Sequence, residues 1–171
     1  MAIKIENKVF QIETEHTSYQ MKVDEYGVLT HLWYGAKTEC SMDYLLDYPD
    51  VGFSGNIYEA ENQRTYSLNT LPQEYSTSGV GDFRIPAITV THDDGSRALD
   101  LRYSGHKISR GKYNIDGLPA VYATEEEAET LEIVMEDTAT NIEVILMYGV
   151  LPKKDIITRS TVIINNGTTS I

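Results

Sequence analysis

A chain of 171 residues that is 41% hydrophobic and 23% charged has the composition of an ordinary globular protein, and a single domain covering residues 1–171 is expected. Its 14 Lys and Arg against 26 Asp and Glu give a net charge of −12. This charge repels the phosphate backbone of nucleic acids and offers no basic face to anionic lipid, which excludes nucleic acid and membrane surfaces as leading partners.

The single cysteine, Cys40, leaves no internal disulfide and no Cys-x-x-Cys motif, which is typical of a reducing compartment. The N-terminal sequence MAIKIENKVFQIETE lacks a basic segment followed by an apolar one. No apolar run approaches the roughly 18 residues of a membrane helix. These features predict a cytoplasmic protein.

Alternation of apolar and polar residues predicts β-strands along most of the chain, since successive side chains of a strand point to opposite faces. In chain order, the apolar members of these runs are Phe10 and Ile12, then Tyr19, Met21 and Val23, then Leu99, Leu101 and Tyr103, then Leu131, Ile133 and Met135, then Ile142, Val144, Leu146, Tyr148 and Val150. The final stretch DIITRSTVIINNGTTSI predicts a strand still in progress at Ile171.

Turn sequences separate these runs, at 25–27, 92–96, 137–141 and 151–155. Short connections between alternating runs predict antiparallel hairpins. Two short helical turns are expected at most, one from Ser41 to before Pro49 and one with capping-box spacing between Thr124 and Glu127, although a solvated acidic turn explains the second equally well. The fold class is therefore all-β, a large antiparallel sandwich of two sheets packed face to face.

Conventional catalytic and metal-binding motifs are absent from the sequence. His16, His31, His92 and His106 lack the spacing that places two zinc ligands on one face of a strand or helix, so structural or surface roles are expected and no metal is predicted. The many carboxylates, such as those at 93–94 and 125–127, lie in turns or acidic clusters where solvated faces are the default.

Residues 50–84, hereafter the 50–84 segment, match neither a strand nor a helix. A loop longer than about 12 to 15 residues in a compact domain is usually functional or disordered. Its aromatic residues argue against disorder: Phe53, Tyr58, Tyr66, Tyr75 and Phe83. Aromatic, amide and guanidinium groups bind sugars but also fill protein interfaces, so composition leaves interface packing, ligand contact and neither role open.

Four stretches carry a resemblance to a known family. RTYSLNTLPQEYSTSGVGDFRIPAITV (64–90), SYQMKVDEYGVLTHLWYG (18–35), ALDLRYSGHKI (98–108) and GLPAVYA (117–123) resemble, in the same order, the N-terminal domain of bacterial α-galactosidases of glycoside hydrolase family 36. The TLPQEYSTSGVGDFR block is the specific part. The resemblance covers nearly the whole chain.

The resemblance implies a β-sandwich, or supersandwich, that carries a long ordered or semi-ordered loop and precedes a catalytic (β/α)8 barrel. The two catalytic aspartates lie on that barrel, so it implies no catalytic residue in this chain. It also implies no cofactor, since two carboxylates suffice for a retaining glycosidase.

The resemblance further implies a homotetramer in which this domain's loop reaches a neighbouring active site. Carried onto this sequence, the substrate-binding residues are Asp50, Phe53 and Arg64, with Phe53 walling the pocket and the charged pair bonding sugar hydroxyls or fixing the loop. Packing of all three at a subunit interface is the alternative. We expect the aromatic and arginine side chains of the 50–84 segment to depend on a neighbouring barrel for their packing.

Two other functions remain open for the chain as a whole. One is a freestanding carbohydrate-binding module, which would bind galactosides by itself. The other is a purely structural assembly domain, whose variants would change the oligomeric state and leave kinetics intact.

Overall fold

Eight antiparallel strands form two four-stranded sheets in the computed structural model, which describes residues 2–52 and 56–171. The first sheet contains β1 (Ile3–Glu6), β2 (Val9–Glu13), β3 (Thr17–Val23) and β4 (Leu29–Ala36), and the second contains β5 (Arg102–Arg110), β6 (Glu129–Asp137), β7 (Ile142–Leu151) and β8 (Ile156–Asn165). Each sheet pairs its strands in sequence order. This confirms the all-β sandwich predicted from alternation.

Helical structure in residues 2–52 and 56–171 is confined to three 3-10 turns, at Asp43–Leu45, Tyr58–Ala60 and Pro152–Lys154. The first lies inside the helical turn predicted from Ser41. The second predicted turn is a hydrogen-bonded turn without a helix, in which the Glu127 carboxylate accepts bonds from the Thr124 N–H and hydroxyl. No helix in the described part of the chain is long and apolar enough to cross a membrane.

The main core lies between the two sheets and is built from the residues that alternation selected. Fully buried members from the first sheet include Phe10, Ile12 and Met21, and members from the second include Leu131, Ile133 and Val144. On β7 the buried side chains are at every second position from Ile142 to Val150. The period of two thus identified the inward faces correctly.

Two strand boundaries differ from the sequence prediction. Leu99 and Leu101 are buried in the core, but β5 begins only at Arg102, so these residues fill the core from an irregular segment. The expectation of a strand running to Ile171 is wrong, because β8 ends at Asn165. Beyond it the chain turns, with the Asn166 N–H bonded to the Asn141 carbonyl and the Asn165 amide bonded to the Thr169 carbonyl.

Hairpin turns position the strands of the first sheet. β1 and β2 are joined by two residues, Asn7 and Lys8, both with positive φ, which matches the twist of a two-residue hairpin. The β3–β4 turn is held by Asp24, whose Oδ1 accepts the Tyr26 and Val28 N–H groups at 2.9 and 2.8 Å. Gly27 supplies the positive φ that this turn requires.

Side chains also join the two sheets at one end of the sandwich. Asp155, in the β7–β8 connection, accepts the His16 N–H at 2.8 Å and pairs with His16 Nδ1 at 2.6 Å. Its Oδ1 also accepts the Thr14 hydroxyl at 2.7 Å. Glu15, His16 and Asp155 form an exposed group whose ligand atoms lie within 4.8 Å of one another, which histidine spacing could not reveal because Asp155 is remote in sequence.

The His16–Asp155 pair is predicted to make stability depend on pH. The hydrogen bond and charge of Asp155 raise the pKa of His16, so its contribution is complete below the unfolded value of 6.5 and is lost as pH rises through the folded value. Bonds from His16 and Thr14 lower the pKa of Asp155 from 3.8 to about 2, so its contribution is lost as pH falls toward that value. We expect the pair to stabilise most between about pH 4 and pH 6.5.

Urea unfolding of the Asp155→Asn variant across this pH range tests the prediction. The difference from the unsubstituted chain should be largest inside the window and shrink on both sides. Asp116→Asn, at an exposed acid remote in sequence from the pair, provides the matched control. A difference that stays constant from acid to alkaline pH would contradict a titrating pair.

Candidate functional site

The 50–84 segment contains one regular element among its described residues, the 3-10 turn Tyr58–Ala60. Its remaining backbone needs other hydrogen-bond partners, because buried peptide groups are costly when unpaired. Part of the answer is pairing with the first sheet: Gln73 bridges Thr30, the His31 N–H bonds the Pro72 carbonyl at 2.7 Å, and the Glu74 N–H bonds the Leu29 carbonyl at 2.9 Å. The segment therefore docks along the start of β4.

A second, smaller core anchors the middle of the segment. Its members are buried apolar side chains of the segment packed against the residue that ends the β3–β4 turn: Val28, Ile57, Ala60, Tyr66, Leu68 and Leu71. Tyr66 is 2% exposed, and its hydroxyl donates to Asp24 Oδ2 at 2.6 Å. The expectation that the segment's aromatic side chains need a neighbouring barrel is wrong for Tyr66.

Glu74 binds both sheets at once, and its side chain is only 2% exposed. Its carboxylate accepts bonds from four side chains, Tyr19 on β3, His31 on β4, Tyr148 on β7 and Arg159 on β8. The distances to its oxygens are 2.7 and 2.8 Å from Tyr19 Oη, 3.2 Å from His31 Nδ1, 2.8 Å from Tyr148 Oη and 2.5 Å from Arg159 Nη2. One loop residue thus closes the gap between the sheets.

The donors around Glu74 keep it ionised. Burial by itself would raise its pKa, but the His31 hydrogen bond, the Arg159 charge and the tyrosine hydroxyls outweigh burial and lower the pKa below 4.5. Burial and the Glu74 charge raise the pKa of Tyr19 and of Tyr148, so both hydroxyls stay protonated and donate. Since a carboxylate only accepts, His31 Nδ1 carries the proton in this contact.

A third carboxylate, Asp82, secures the end of the segment. Its oxygens receive Arg84 Nε at 2.9 Å, Arg84 Nη2 at 2.7 Å and Gln73 Nε2 at 2.7 Å. The same Arg84 Nη2 donates to the carbonyls of Leu68 and Leu71, both at 2.8 Å. Arg84 is therefore committed to holding its own loop and does not depend on a neighbouring barrel.

Asp50 and Arg64, two of the predicted substrate-binding residues, lie together at the surface. Arg64 Nη2 is 3.3 Å from Asp50 Oδ1, which also accepts the Gly52 N–H at 2.9 Å. The Gly52 bond and the Arg64 charge lower the pKa of Asp50, so the carboxylate is ionised at neutral pH. Half or more of each side chain is exposed, which leaves charged donors and an acceptor open to a ligand. Phe53, the third predicted residue, lies outside the described residues.

A cavity of about 450 Å³ lies beside this segment, between its 3-10 turn and the start of β5. Tyr58 and Phe83 stand on its rim and are 95% and 81% exposed. Its polar lining includes Asp100 and Arg102, which are paired at 2.6 Å. Exposed aromatic rings above charged groups fit either a sugar or a protein surface.

Comparison with known proteins identifies the family. The model of the glycosyl hydrolase family 36 N-terminal domain matches residues 27–171. The chain belongs to this family.

Relatives and solved structures agree with the assignment. The chain is 52% identical over 164 residues to the bifunctional α-galactosidase/sucrose kinase AgaSK of Mediterraneibacter gnavus. The alignment covers 96% of this chain and 18% of that protein. The solved galactosidase domain of AgaSK matches with a TM-score of 0.95 at 51% identity, over 98% of this chain and 24% of that one. The family 36 α-galactosidase AgaA of Geobacillus stearothermophilus, solved as a variant in complex with raffinose, matches with a TM-score of 0.88 at 40% identity, over 95% of this chain and 23% of that one.

The chain therefore spans about a fifth of the length of the curated relatives it matches. Within this family 36 domain, sequence reasoning located the irregular segment and the Asp50–Arg64 pair but missed Glu74, Asp24 and Asp82 as its anchors. Glu74 and Asp82 both lie in the TLPQEYSTSGVGDFR block on which the family resemblance rests. The sequence prediction considered aromatic, amide and arginine side chains as possible ligand contacts. It did not consider carboxylates that hold a loop by accepting several hydrogen bonds.

Replacement of Glu74 by Gln is predicted to destabilise the family 36 domain by about 2 to 3 kcal/mol, because it removes charge-assisted bonds and leaves the Arg159 charge without its partner. Because the folded pKa of Glu74 is lowered, the stability it adds is present above the unfolded value of 4.5 and is lost as pH falls. The difference in the free energy of unfolding between the unsubstituted chain and Glu74→Gln should therefore become smaller in acid.

Urea unfolding at neutral pH and at about pH 3 measures this gap. Glu126→Gln, at an exposed glutamate in the acidic turn, is the control and should change stability by less than about 0.5 kcal/mol. An equal effect of the two substitutions would show that Glu74 does not hold the sheets together.

Proposed function

We propose that this chain is the N-terminal, non-catalytic domain, residues 1–171, of a retaining exo-α-galactosidase acting on terminal α-galactosides of the melibiose and raffinose type. The observation that carries the proposal is the family match over 27–171 in a chain that spans about a fifth of relatives named as α-galactosidases. The remaining length of such an enzyme would hold the barrel and its two catalytic aspartates. The single, exposed cysteine suits the cytoplasm.

Two of the carboxylates that line the aromatic-rimmed cavity, Asp82 and Asp100, support a non-catalytic role. Asp82 is paired with Arg84, whose hydrogen bonds and charge outweigh burial and lower the pKa of Asp82. Asp100 is likewise paired with Arg102. A retaining glycosidase needs a general acid with a raised pKa, and the pairing with Arg84 has the opposite effect on Asp82. No cofactor enters the proposed chemistry.

Exposed apolar side chains support a role in assembly with the barrel and with other subunits. Tyr58 and Phe83 in the segment are 95% and 81% exposed, and Ile85, directly after it, is 95% exposed. Exposed apolar groups that lie together in a patch are typical of surfaces that another protein covers, and Tyr58 and Phe83 line the same cavity. A homotetramer, the assembly that the family resemblance implies, would supply both a barrel and neighbouring subunits.

Within that assembly we assign the Asp50–Arg64 pair to the mouth of a neighbouring active site, with Phe53 as its apolar wall. The exposed carboxylate and guanidinium offer an acceptor and several donors, which is what sugar hydroxyls require. The anchored base of the segment would present them without losing much freedom on binding. The sugar site would thus be shared between two subunits.

A freestanding carbohydrate-binding module is the second candidate. The aromatic rings of Tyr58 and Phe83 on the cavity rim favour it, because sugars pack on exposed aromatic faces. A purely structural assembly domain is the third, favoured by the same exposed groups if they are covered by protein.

The chain by itself is predicted to show no turnover of an aryl α-galactoside and no heat of binding with millimolar melibiose. The catalytic carboxylates belong to the barrel, and half of a shared site binds weakly. A chromogenic assay and isothermal titration calorimetry measure the two properties. Activity that changes with a substitution in this chain would overturn the assignment, and saturable melibiose binding would favour the module.

In the full-length enzyme, Asp50→Ala and Arg64→Ala are each predicted to lower kcat/KM for raffinose by about 10- to 100-fold, because a hydrogen bond to a charged group contributes about 1.5 to 3 kcal/mol. Steady-state kinetics together with size-exclusion chromatography separate sugar contact from assembly. Asp47→Ala, an exposed acid close by in sequence, is the control. Loss of the tetramer with unchanged kinetics would favour the assembly domain instead.

A further inference from the structure

We infer that Tyr66 is a positioning residue that holds the Asp50–Arg64 pair in place through its bond to Asp24. This inference rests on the proposed function, in which that pair contacts the sugar. Tyr66 is only 2% exposed and offers almost no surface to a ligand, so its effect must pass through the residues beside it.

Two contacts between the same two stretches of chain place Tyr66 close to the Asp50–Arg64 pair. The rings of Tyr48 and Tyr66 are stacked, with centroids 6.5 Å apart and planes 22° apart. Asp50 lies two residues after Tyr48, and Arg64 lies two residues before Tyr66. Asp50 Oδ1 is 3.3 Å from Arg64 Nη2. The stretches 48–50 and 64–66 therefore run side by side in opposite directions, joined once by rings and once by charges.

Of the two contacts, only the one between Tyr48 and Tyr66 includes a residue that is fixed to the rest of the domain. Tyr66 donates its hydroxyl to Asp24 Oδ2 at 2.6 Å, and its ring meets the Tyr26 ring edge-on at 4.6 Å between centroids. Asp24 is itself held by the Tyr26 and Val28 N–H groups of the β3–β4 turn. Tyr66 is thus tied through Asp24 to the first sheet.

The exposed ion pair cannot supply this support by itself. Surface ion pairs contribute little, because water screens them and two long side chains lose freedom when they pair. Arg64 is 69% exposed and Asp50 50% exposed, whereas Tyr66 and Asp24 are buried. The β3–β4 turn therefore fixes the position of Tyr66, and Tyr66 in turn fixes the position of the Asp50–Arg64 pair.

The Tyr66 hydroxyl stays a donor over the working pH range. Burial, and after it the bond to the Asp24 carboxylate, raise the pKa of this phenol well above its ordinary value of 10. Replacement by Phe removes this one bond and keeps the ring. It is therefore a narrow test of the anchor.

The first measurement is an NMR titration of the 171-residue chain. In Tyr66→Phe, the pKa of Asp50 should move up toward its ordinary value, because a looser stretch brings the Arg64 charge near it less often. Tyr58→Phe, at a 95% exposed tyrosine of the same segment, should leave the Asp50 titration unchanged. An unchanged titration in Tyr66→Phe would overturn the inference.

The second measurement is steady-state kinetics of the full-length enzyme with raffinose. Tyr66→Phe should raise KM by about 3- to 30-fold and change kcat by less than about 2-fold, because it disturbs a binding group outside the reacting atoms. Asp24→Ala should reproduce the effect, and Asp24→Asn, which keeps an acceptor oxygen, should restore much of it. A purely structural role would lower the melting temperature and leave KM unchanged.

The two measurements keep the inference and the proposed function apart. If Asp50→Ala leaves KM unchanged while Tyr66→Phe shifts the Asp50 titration, the sugar contact fails and the positioning of the pair stands. The other outcome is that Asp50→Ala raises KM, whereas Tyr66→Phe shifts the Asp50 titration and leaves KM unchanged. In that case the positioning has no functional consequence and the inference is overturned.

Discussion

One buried carboxylate, Glu74, carries the contact on which the rest of this structure depends. It lies in the irregular segment, yet it accepts bonds from side chains on β3 and β4 of one sheet and on β7 and β8 of the other. An isolated charge in such a position would be costly, and it is tolerated here because each carboxylate oxygen has several donors. The apolar core between the sheets supplies most of the stabilisation, but it is non-directional. The Glu74 bonds give the sheets and the segment one common geometry.

The same device recurs at two other places, one where the segment meets the sandwich and one inside the segment. Asp24 binds the β3–β4 turn and Tyr66, and Asp82 binds Gln73 and Arg84. In each case one acid accepts hydrogen bonds from several donors that lie at different positions along the chain. This explains how residues 56–84, with a single 3-10 turn, keep a defined course without regular structure. It also accounts for part of the acidic excess of the chain, since these acids act inside the fold.

The sequence predicted the sandwich well because its evidence is local. A buried face on β7 requires an apolar residue at every second position, and the residues from Ile142 to Val150 show that period directly. The short β1 strand alternates over only four residues, Ile3–Glu6, and the sequence prediction did not include it. Leu99 and Leu101 show the opposite error, since they alternate and are buried but lie outside a strand. The anchors of the segment could not be predicted from the sequence, because Tyr148 and Arg159 lie 74 and 85 positions from Glu74 and only the fold brings them together.

The anchoring divides the 50–84 segment into two parts with different physical roles. Tyr66, Leu68, Leu71 and Glu74 are buried and fixed to the sandwich, whereas Asp50, Tyr58, Arg64 and Phe83 face water. A surface that must meet a partner gains affinity when its base is already ordered, because less conformational freedom is lost on binding. Regular structure at this edge would have placed polar backbone groups in fixed rows. An irregular segment held by a few acids instead presents charged and aromatic side chains at chosen points, and that arrangement suits the shared sugar site proposed above.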